Sequence, residues 1–310
     1  MSENFYDVAI IGCGPAGLQA AIHAAGKKVR VMVFGRPEKS SLYKAHVANY
    51  CCYEKVVSGK EILEAGKKQA QGFEAEFLEQ DIIETKNEDE HFIVVTENGQ
   101  TFYSKTLILT MGISRKRLGV KNEKAFVGRG VSYCVDCDAN FYKGMDVAVV
   151  GNESAAVTGA LTLLGYANKV YLVCRKLAVN ELLHDQLKKS DVITLHDTWV
   201  KEILGNNEVE EVLLTNGESM KLNGLFIELG AKGAMELAAN LGVVFDSETF
   251  SFIETNKKQE TNIPGLYAAG DITGQPWQMA KAVGEGCVAG MEAAKYAKNR
   301  PIPDPERVRE

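Results

Sequence analysis

Two cysteines set two residues apart, Cys134 and Cys137 in SYCVDCDANFYKG (132–144), are the residues with the clearest chemistry in this chain, and Asp138 follows them at once. A C-x-x-C arrangement lowers the pKa of one thiol and keeps a resolving thiol within reach, so the pair can cycle between dithiol and disulfide. Zinc is the other common use of paired cysteines, but a ribbon site needs a second C-x-x-C at suitable spacing. The remaining cysteines, at 13, 51, 52, 174 and 287, supply none. Seven cysteines, an odd number at irregular spacing, do not make a disulfide scaffold either. A redox pair is therefore expected, and no metal. Asp136, inside the pair, is an unusual neighbour, because a carboxylate disfavours thiolate nearby.

A dithiol that turns over needs a supply of electrons, and two stretches read as folds that hold electron carriers. In YDVAIIGCGPAGLQAAIHAAGKKVRVMVF (6–34) an apolar strand ending at Ile11 runs through Gly12, Gly14 and Gly17 into an Ala-rich helix, and a second strand is expected from Lys28 to Phe34. G-x-G-x-x-G in this strand-turn-helix setting marks a dinucleotide site. The glycines make the tight turn, let the backbone approach a pyrophosphate and let helix pack on strand, while the helix N-terminus faces the negative charge. The acidic residue that often ends the second strand and holds a ribose is absent, and Phe34 and Gly35 stand there. A second copy of the rhythm begins at DVAVVGNESAAVTGALTLLGYANKVYLVCRK (146–176), with a strand at 147–150, a helix near 154–164 and a strand at 169–174. Its glycines are not kept: Gly151 remains, but Glu153 takes the place of the phosphate-facing glycine and Ala156 that of the third. Near the C-terminus, IPGLYAAGDITGQPWQMAKAVGEGCVAGMEAAKYAKN (263–299) reads as a short strand, a Gly-Asp turn, a loop with Trp277 and a long helix. Gly284, Gly286 and Gly290 on that helix suit either close packing on another backbone or room for a flat ligand.

Composition bounds the setting. The 310 residues are 45% hydrophobic and 25% charged, with 29 glycines, which describes a globular chain of about two domains. The net charge of -6 gives no general attraction to nucleic acid or anionic lipid. No apolar run approaches the roughly 18 residues that span a bilayer. Glu3 and Asp7 stand where a signal peptide is basic, so the cytoplasm is the expected compartment.

Together, GCGPAGLQAA, ILTMGISRK, GRGVSYCVDCDANFYKGMDVAVVG and IPGLYAAGDI, in this order and spacing, resemble the low-molecular-weight thioredoxin reductases over essentially the whole chain. The resemblance implies an α/β fold of two Rossmann-like dinucleotide-binding domains of the three-layer ββα kind, the second inserted in the first. An FAD-binding domain would occupy 1–113 and 245–310, and an NADPH-domain-like insert carrying the C-x-x-C would occupy 114–244. By the same resemblance Gly12, Gly14, Pro15, Ala16 and Gly17 would line the FAD pyrophosphate, with Gly35, Asn49, Gly112 and Gly270 elsewhere on the cofactor. Asp271 would bind the ribityl or phosphate region, and Gln278, Met279 and Ala280 would approach the flavin ring, where a helix N-terminus favours negative charge. Lys39-Ser40-Ser41-Leu42 replaces the Gly-Gly-Gln-Leu run of the family. Cys137 would lie beside the flavin, Cys134 would attack the disulfide of thioredoxin or a thioredoxin-like protein, and Asp138 would protonate the departing thiolate. A homodimer and a rotation between domains are implied by the family as well.

The electron donor is less plain. Glu153 would set a carboxylate against a pyrophosphate. At about 4 Å and an effective dielectric near 20 that repulsion is about 4 kcal/mol, roughly a thousandfold in affinity. The family's His-Arg-Arg cluster for a 2′-phosphate reads Cys174-Arg175-Lys176, and its G-H-x-P-N stretch falls in Leu229 to Met235, which lacks that pattern. Arg175 and Lys176 still offer two charges to a phosphate. Three altered features favour a pyridine-nucleotide-independent branch of the family fed by ferredoxin, which SSLYKAHVANY and GQPWQMAKAVGEGCVAG also resemble. Ser114 to Lys124 is the basic stretch that an acidic ferredoxin would meet. NADPH or a deazaflavin is the alternative donor, and a non-catalytic flavin-bound redox sensor is the lesser alternative function.

Overall fold

The computed structural model describes residues 4–51, 53–88, 91–112, 117–133, 135–229, 234–247 and 252–300. The chain divides into two compact units, one of Met1–Thr96, Gln100–Ser114 and Asn240–Glu310, the other of Glu97–Gly99 and Arg115–Ala239.

The first unit starts with β1 (Phe5–Ile11), α1 (Pro15–Gly26) and β2 (Val31–Phe34). The two strands are parallel, with Ile11 opposite Phe34. Every residue of β2 is buried, as suits a strand covered on both faces. β2 begins at Val31 and not at the expected Lys28. The amides of Lys27 and Lys28 bond back to Ala24 and Ala25 and Lys28 takes a φ of 60°, so the end of α1 wraps into a turn before the chain extends. A short pair, β3 (His46–Val47) and β4 (Val57–Ser58), leads to α2 (Gly59–Gly72), whose N-cap Ser58 accepts from the Glu61 amide. Then come β5 (Glu76–Leu78) and the meander β6 (Ile82–Glu88), β7 (His91–Thr96) and β8 (Thr101–Leu109). The sheet runs β5-β2-β1-β8-β7-β6, parallel from β5 to β8 and antiparallel beyond.

The second unit contains α3 (Glu123–Phe126), β9 (Val131–Ser132) and the four-residue α4 (Val135–Asp138). β10 (Asp146–Val150), α5 (Ser154–Leu163), β11 (Lys169–Val173), α6 (Glu181–Lys188) and β12 (Ile193–Leu195) follow. An antiparallel sheet of β13 (Val200–Leu204), β14 (Glu211–Leu214) and β15 (Ser219–Lys221) precedes β16 (Gly224–Ile227) and α7 (Ala234–Asn240). The parallel sheet has the order β12-β11-β10-β16-β9. Each unit thus repeats the strand-turn-helix-strand start of a dinucleotide-binding fold, and the α/β class of two Rossmann-like domains is the class that the sequence implies.

Back in the first unit, β17 (Leu266–Ala268) joins β8 in parallel, and α8 (Met279–Lys298) packs on α1. A Cβ on Gly286 would lie 2.2 Å from the Ala16 carbonyl oxygen, and one on Gly290 2.3 Å from that of Ala20. These two glycines therefore serve close helix packing, whereas a Cβ on Gly284 would meet nothing within 4 Å among the described residues. Among the described residues no helix is long and apolar enough to cross a membrane, and no cluster of three or more His, Cys, Asp or Glu is placed to hold a metal ion.

Candidate active site

β1 delivers the chain into the turn of Gly12, Gly14 and Gly17, and each glycine answers a different need. Gly12 has a φ of 121°, and a Cβ there would lie 2.5 Å from the Thr110 carbonyl oxygen at the end of β8. A Cβ on Gly17 would lie 1.9 Å from the Gly12 carbonyl oxygen, so helix and turn touch there. A Cβ on Gly14 would meet Ser40 Oγ at 3.3 Å and no other described atom within 4 Å beyond its chain neighbours and the helix's own backbone. Gly14 is also the extended N-cap of α1, which begins with Pro15 and has no side-chain cap. The first-turn amides of Ala16 and Gly17 therefore lack partners within the helix and offer themselves to an anion. The Thr110 hydroxyl locks the turn by donating to the carbonyls of Ile11 and Gly12 at 3.0 and 3.1 Å. Cys13, in the same turn, is buried, which pushes its thiol up to about 12 and removes it from thiolate chemistry.

Gly35, with a φ of 127°, brings the end of β2 close to this turn: a Cβ there would sit 3.4 Å from the Cys13 nitrogen. Directly beyond it, Arg36 and Lys39 pair with Asp81 at 2.6 and 2.8 Å. Asp81 is only 7% exposed. A carboxylate from beyond β5 thus pairs with two cations just past the end of β2, which the local sequence pattern does not reveal. Gly112, past the end of β8, has a φ of 71°, and a Cβ there would meet nothing within 4 Å among the described residues.

A second group of residues closes on the N-terminus of α8. The chain turns at Gly270, φ 88°, into a single 3-10 turn, Asp271–Thr273. Lys281, in the first turn of α8, holds this loop: its Nζ donates to the carbonyls of Gly270 and Gly274 at 2.8 Å each and to Thr273 Oγ1 at 2.9 Å. Glu285, one turn on, pairs with Lys281 at 3.1 Å and accepts from the Gly270 amide and the Thr273 hydroxyl, both at 2.8 Å. Burial pushes the Asp271 carboxyl up, Lys281 pulls it back, and Glu285 adds to the rise. At the N-cap, Gln278 Oε1 accepts from Asn49 Nδ2 at 3.1 Å, and Met279 and Ala280 open the helix. The loop of Asn49 and the start of α8 therefore meet. The i, i+4 spacing of Lys281 and Glu285 was visible in the sequence; their grip on the Asp271 loop was not.

In the second unit, Cys134 and the side chain of Cys137 lie outside the described residues, but the frame that holds them is described. Asp138 ends α4, and its Oδ2 accepts from Ser132 Oγ at 2.6 Å. Tyr133 donates to Glu123 Oε1 at 2.5 Å, and the same carboxylate accepts the amides of Leu118, Gly119 and Val120 at 3.0, 2.6 and 3.3 Å. Burial alone would raise the Glu123 carboxyl, but the tyrosine hydroxyl and the three amides together hold it below its ordinary value. Tyr142, just beyond α4, packs edge-on against Phe226 of β16. Burial pushes its hydroxyl up, and Asp138 adds to the rise. Strands β9 and β16 and helix α3 thus pin both sides of the C-x-x-C segment.

At the ends of β10 and β11 the two loops bond to each other. Glu153 is the extended N-cap of α5. Asn152 Oδ1 accepts the Arg175 amide at 2.9 Å, and the Ala178 amide bonds to the Asn152 carbonyl at 2.7 Å, so the loop after β11 is strapped to the turn after β10. The Arg175 guanidinium lies 5.0 Å from the Trp199 ring centre, a cation–π contact. Cys174 is buried, which pushes its thiol up to about 11, with Asp197 adding to the shift.

The family model described as pyridine nucleotide-disulphide oxidoreductase matches residues 6–286. The chain belongs to this family. It is an FAD-dependent oxidoreductase. It is 32% identical over 308 residues to a thioredoxin reductase of Listeria monocytogenes, covering 96% of this chain and 95% of that one. Among solved structures it is similar to the atypical thioredoxin reductase TRi of Desulfovibrio vulgaris Hildenborough, with a TM-score of 0.82, 32% identity and coverage of 96% and 99% of the two chains. It is also similar to a ferredoxin-flavin thioredoxin reductase of Clostridium acetobutylicum, with a TM-score of 0.66, 33% identity and the same coverage.

The residues of the first unit fit the cofactor of this oxidoreductase. The uncapped first turn of α1 and the lack of a side chain at Gly14 suit a pyrophosphate. The half-buried Asp271, in a loop clamped by Lys281 and Glu285, offers a fixed acceptor for hydroxyl groups. The second unit does not offer the same: Glu153 stands at the N-cap of α5, the position that Gly14 holds in α1.

Proposed function

We propose that this oxidoreductase reduces the disulfide of thioredoxin or a thioredoxin-like protein through FAD and a redox-active Cys134/Cys137 pair, with ferredoxin as the source of electrons. In this reading 1–113 with 245–310 is the FAD domain, 114–244 is the insert, and Gly12, Gly14, Pro15, Ala16, Gly17, Gly35, Asn49, Gly112, Gly270, Asp271, Gln278, Met279 and Ala280 hold the cofactor. The Cys134 thiolate attacks one sulfur of the partner's disulfide and forms a mixed disulfide, and Asp138 gives a proton to the departing thiolate. Cys137 then attacks Cys134, which breaks the mixed disulfide, frees the second partner thiol and leaves a Cys134–Cys137 disulfide. Two electrons and two protons restore the dithiol. When bound, FAD supplies a carrier that accepts electrons singly and delivers them as a pair. The observation that carries the chemistry is the hydrogen bond from Ser132 to Asp138, 2.6 Å long, which orients a carboxyl at the end of α4, the helix that includes Cys137. A homodimer in the cytoplasm completes the reading.

The strapped second crevice supports ferredoxin as donor. Asn152 and Glu153 occupy the turn that a pyrophosphate needs, and Arg175, the cation best placed for a 2′-phosphate, is engaged with Trp199. A donor near -400 mV and an acceptor near -270 mV leave about 130 mV, or roughly 6 kcal/mol for two electrons. Anaerobic titration of the flavin-loaded protein tests the donor: reduced ferredoxin should bleach the flavin absorption, and NADPH at micromolar concentration should not. Rapid bleaching by NADPH would overturn this donor and leave the disulfide chemistry standing.

A further inference from the structure

Ser40 belongs to the run Lys39-Ser40-Ser41-Leu42, where the sequence departs from the family it resembles, and the fold brings it to the first glycine turn. Its Oγ lies 3.3 Å from the point where Gly14 would carry a Cβ. The second glycine of such a turn is bare because a pyrophosphate takes the space that a side chain would fill. The Ser40 hydroxyl therefore stands at the edge of that space. The chain is fixed on both sides of it. A single 3-10 turn, Pro37–Lys39, precedes it, and Lys39 pairs with Asp81 at 2.8 Å. The Ser40 amide bonds to the Pro37 carbonyl and the Tyr43 amide to the Ser40 carbonyl, both at 3.0 Å. Leu42 is buried, and its carbonyl accepts the Ala45 amide at 2.8 Å. A hydroxyl has one proton and two lone pairs. Ser40 Oγ accepts the Leu42 amide at 3.3 Å, and among the described residues no acceptor takes its proton. The oxygen is thus held by an amide while its O–H is left to donate, beside a helix whose first-turn amides lack partners within the helix.

We propose that Ser40 is a cofactor-binding residue: its hydroxyl donates a hydrogen bond to the pyrophosphate of FAD, next to the first-turn amides of α1. This inference rests on the reading that places the pyrophosphate at Gly12, Gly14 and Gly17. Arg36 and Lys39 of the same loop pair with Asp81, so what Ser40 adds is a directed donor. A hydrogen bond to an ionised acceptor is shorter and stronger than one between neutral groups. Ser41, the next residue, is exposed and lies more than 4 Å from the point above Gly14, which makes it the natural control.

Ser40→Ala removes the donor, and Ser41→Ala removes a hydroxyl that has no such place. Two measurements on the flavin-loaded protein read the effect: release of FAD on serial dilution, followed by flavin fluorescence, and the phosphorus-31 spectrum of the bound cofactor. A hydrogen bond to a charged group corresponds to roughly tenfold or more in affinity. Ser40→Ala should therefore weaken FAD binding about tenfold and shift a pyrophosphate resonance, while Ser41→Ala should match the native protein in both. Ser40→Cys, close in size but a weak donor, reads the same loss if the alanine variant does not fold. The phosphorus spectrum reports the contact itself, which a merely structural role of the loop would leave unmoved. FAD affinity in Ser40→Ala equal to the native value or tighter, an unmoved phosphorus spectrum, or an equal loss in Ser41→Ala would overturn the proposal and leave Ser40 a loop residue. A native protein that takes up no FAD would overturn the cofactor reading and this inference together.

Discussion

Lys281→Met tests whether the loop that carries Asp271 is set by α8. The change keeps much of the side-chain volume and removes the ammonium, with its three hydrogen bonds at 2.8, 2.9 and 2.8 Å and its pairing with Glu285 at 3.1 Å. A hydrogen bond to a charged group contributes about 1.5–3 kcal/mol. The side chains keep 15% and 20% exposure, so water recovers part of the loss, and a net destabilisation of about 3 kcal/mol is expected. For a unit of this size each kcal/mol is worth about 2–4 °C, which predicts a fall in melting temperature of about 6–12 °C. If half of that loss falls on the flavin-bound state alone, FAD affinity drops about tenfold. Thermal melting of the holoprotein and calorimetric titration of FAD into the apoprotein read the two effects separately. A melting temperature within about 2 °C of the native value together with unchanged FAD affinity would refute the clamp.

Ser132→Ala removes the donor that orients Asp138. It should lower the turnover of disulfide reduction about tenfold in steady-state assays while leaving flavin content unchanged; full turnover would mean that Asp138 needs no such support. Glu123→Gln should destabilise the second unit by about 2 kcal/mol at neutral pH. Because the native Glu123 carboxyl is held below its ordinary value of 4.5, its contribution is complete above that value and is lost as pH falls through the lowered one. The difference in melting temperature should therefore shrink below about pH 4.5. Gly286→Ala forces a methyl to 2.2 Å from the Ala16 carbonyl oxygen and should lower stability by about 1–3 kcal/mol in chemical unfolding.

What could be read from the chain and what could not divides along sequence distance. The turn of Gly12, Gly14 and Gly17 was legible because strand, glycines and helix are contiguous, and the three roles assigned to them rest on contacts to near neighbours and to Thr110. The start of β2 was misplaced because Lys28 adopts a left-handed conformation that a run of apolar and basic residues does not announce. Asp81, pairing with Arg36 and Lys39, is separated from them by three short strands and a helix, so the pattern at the end of β2 showed only that an acid was missing. Glu228 meets Val135 across 93 positions, a pairing that parallel strand order creates and local spacing cannot. Glu153 was legible as a lost glycine, but the strap from Asn152 beside it to Arg175 and Ala178 required the loop after β11 to be in place.

The account stands on communication between the flavin and the cysteine pair, and an anaerobic reductive titration measures it. The native protein should take up about four electron equivalents per chain, two on the flavin and two on the Cys134–Cys137 disulfide, and the Cys137→Ser variant about two. Uptake of only about two by the native protein, with no gain of titratable thiols, would contradict it.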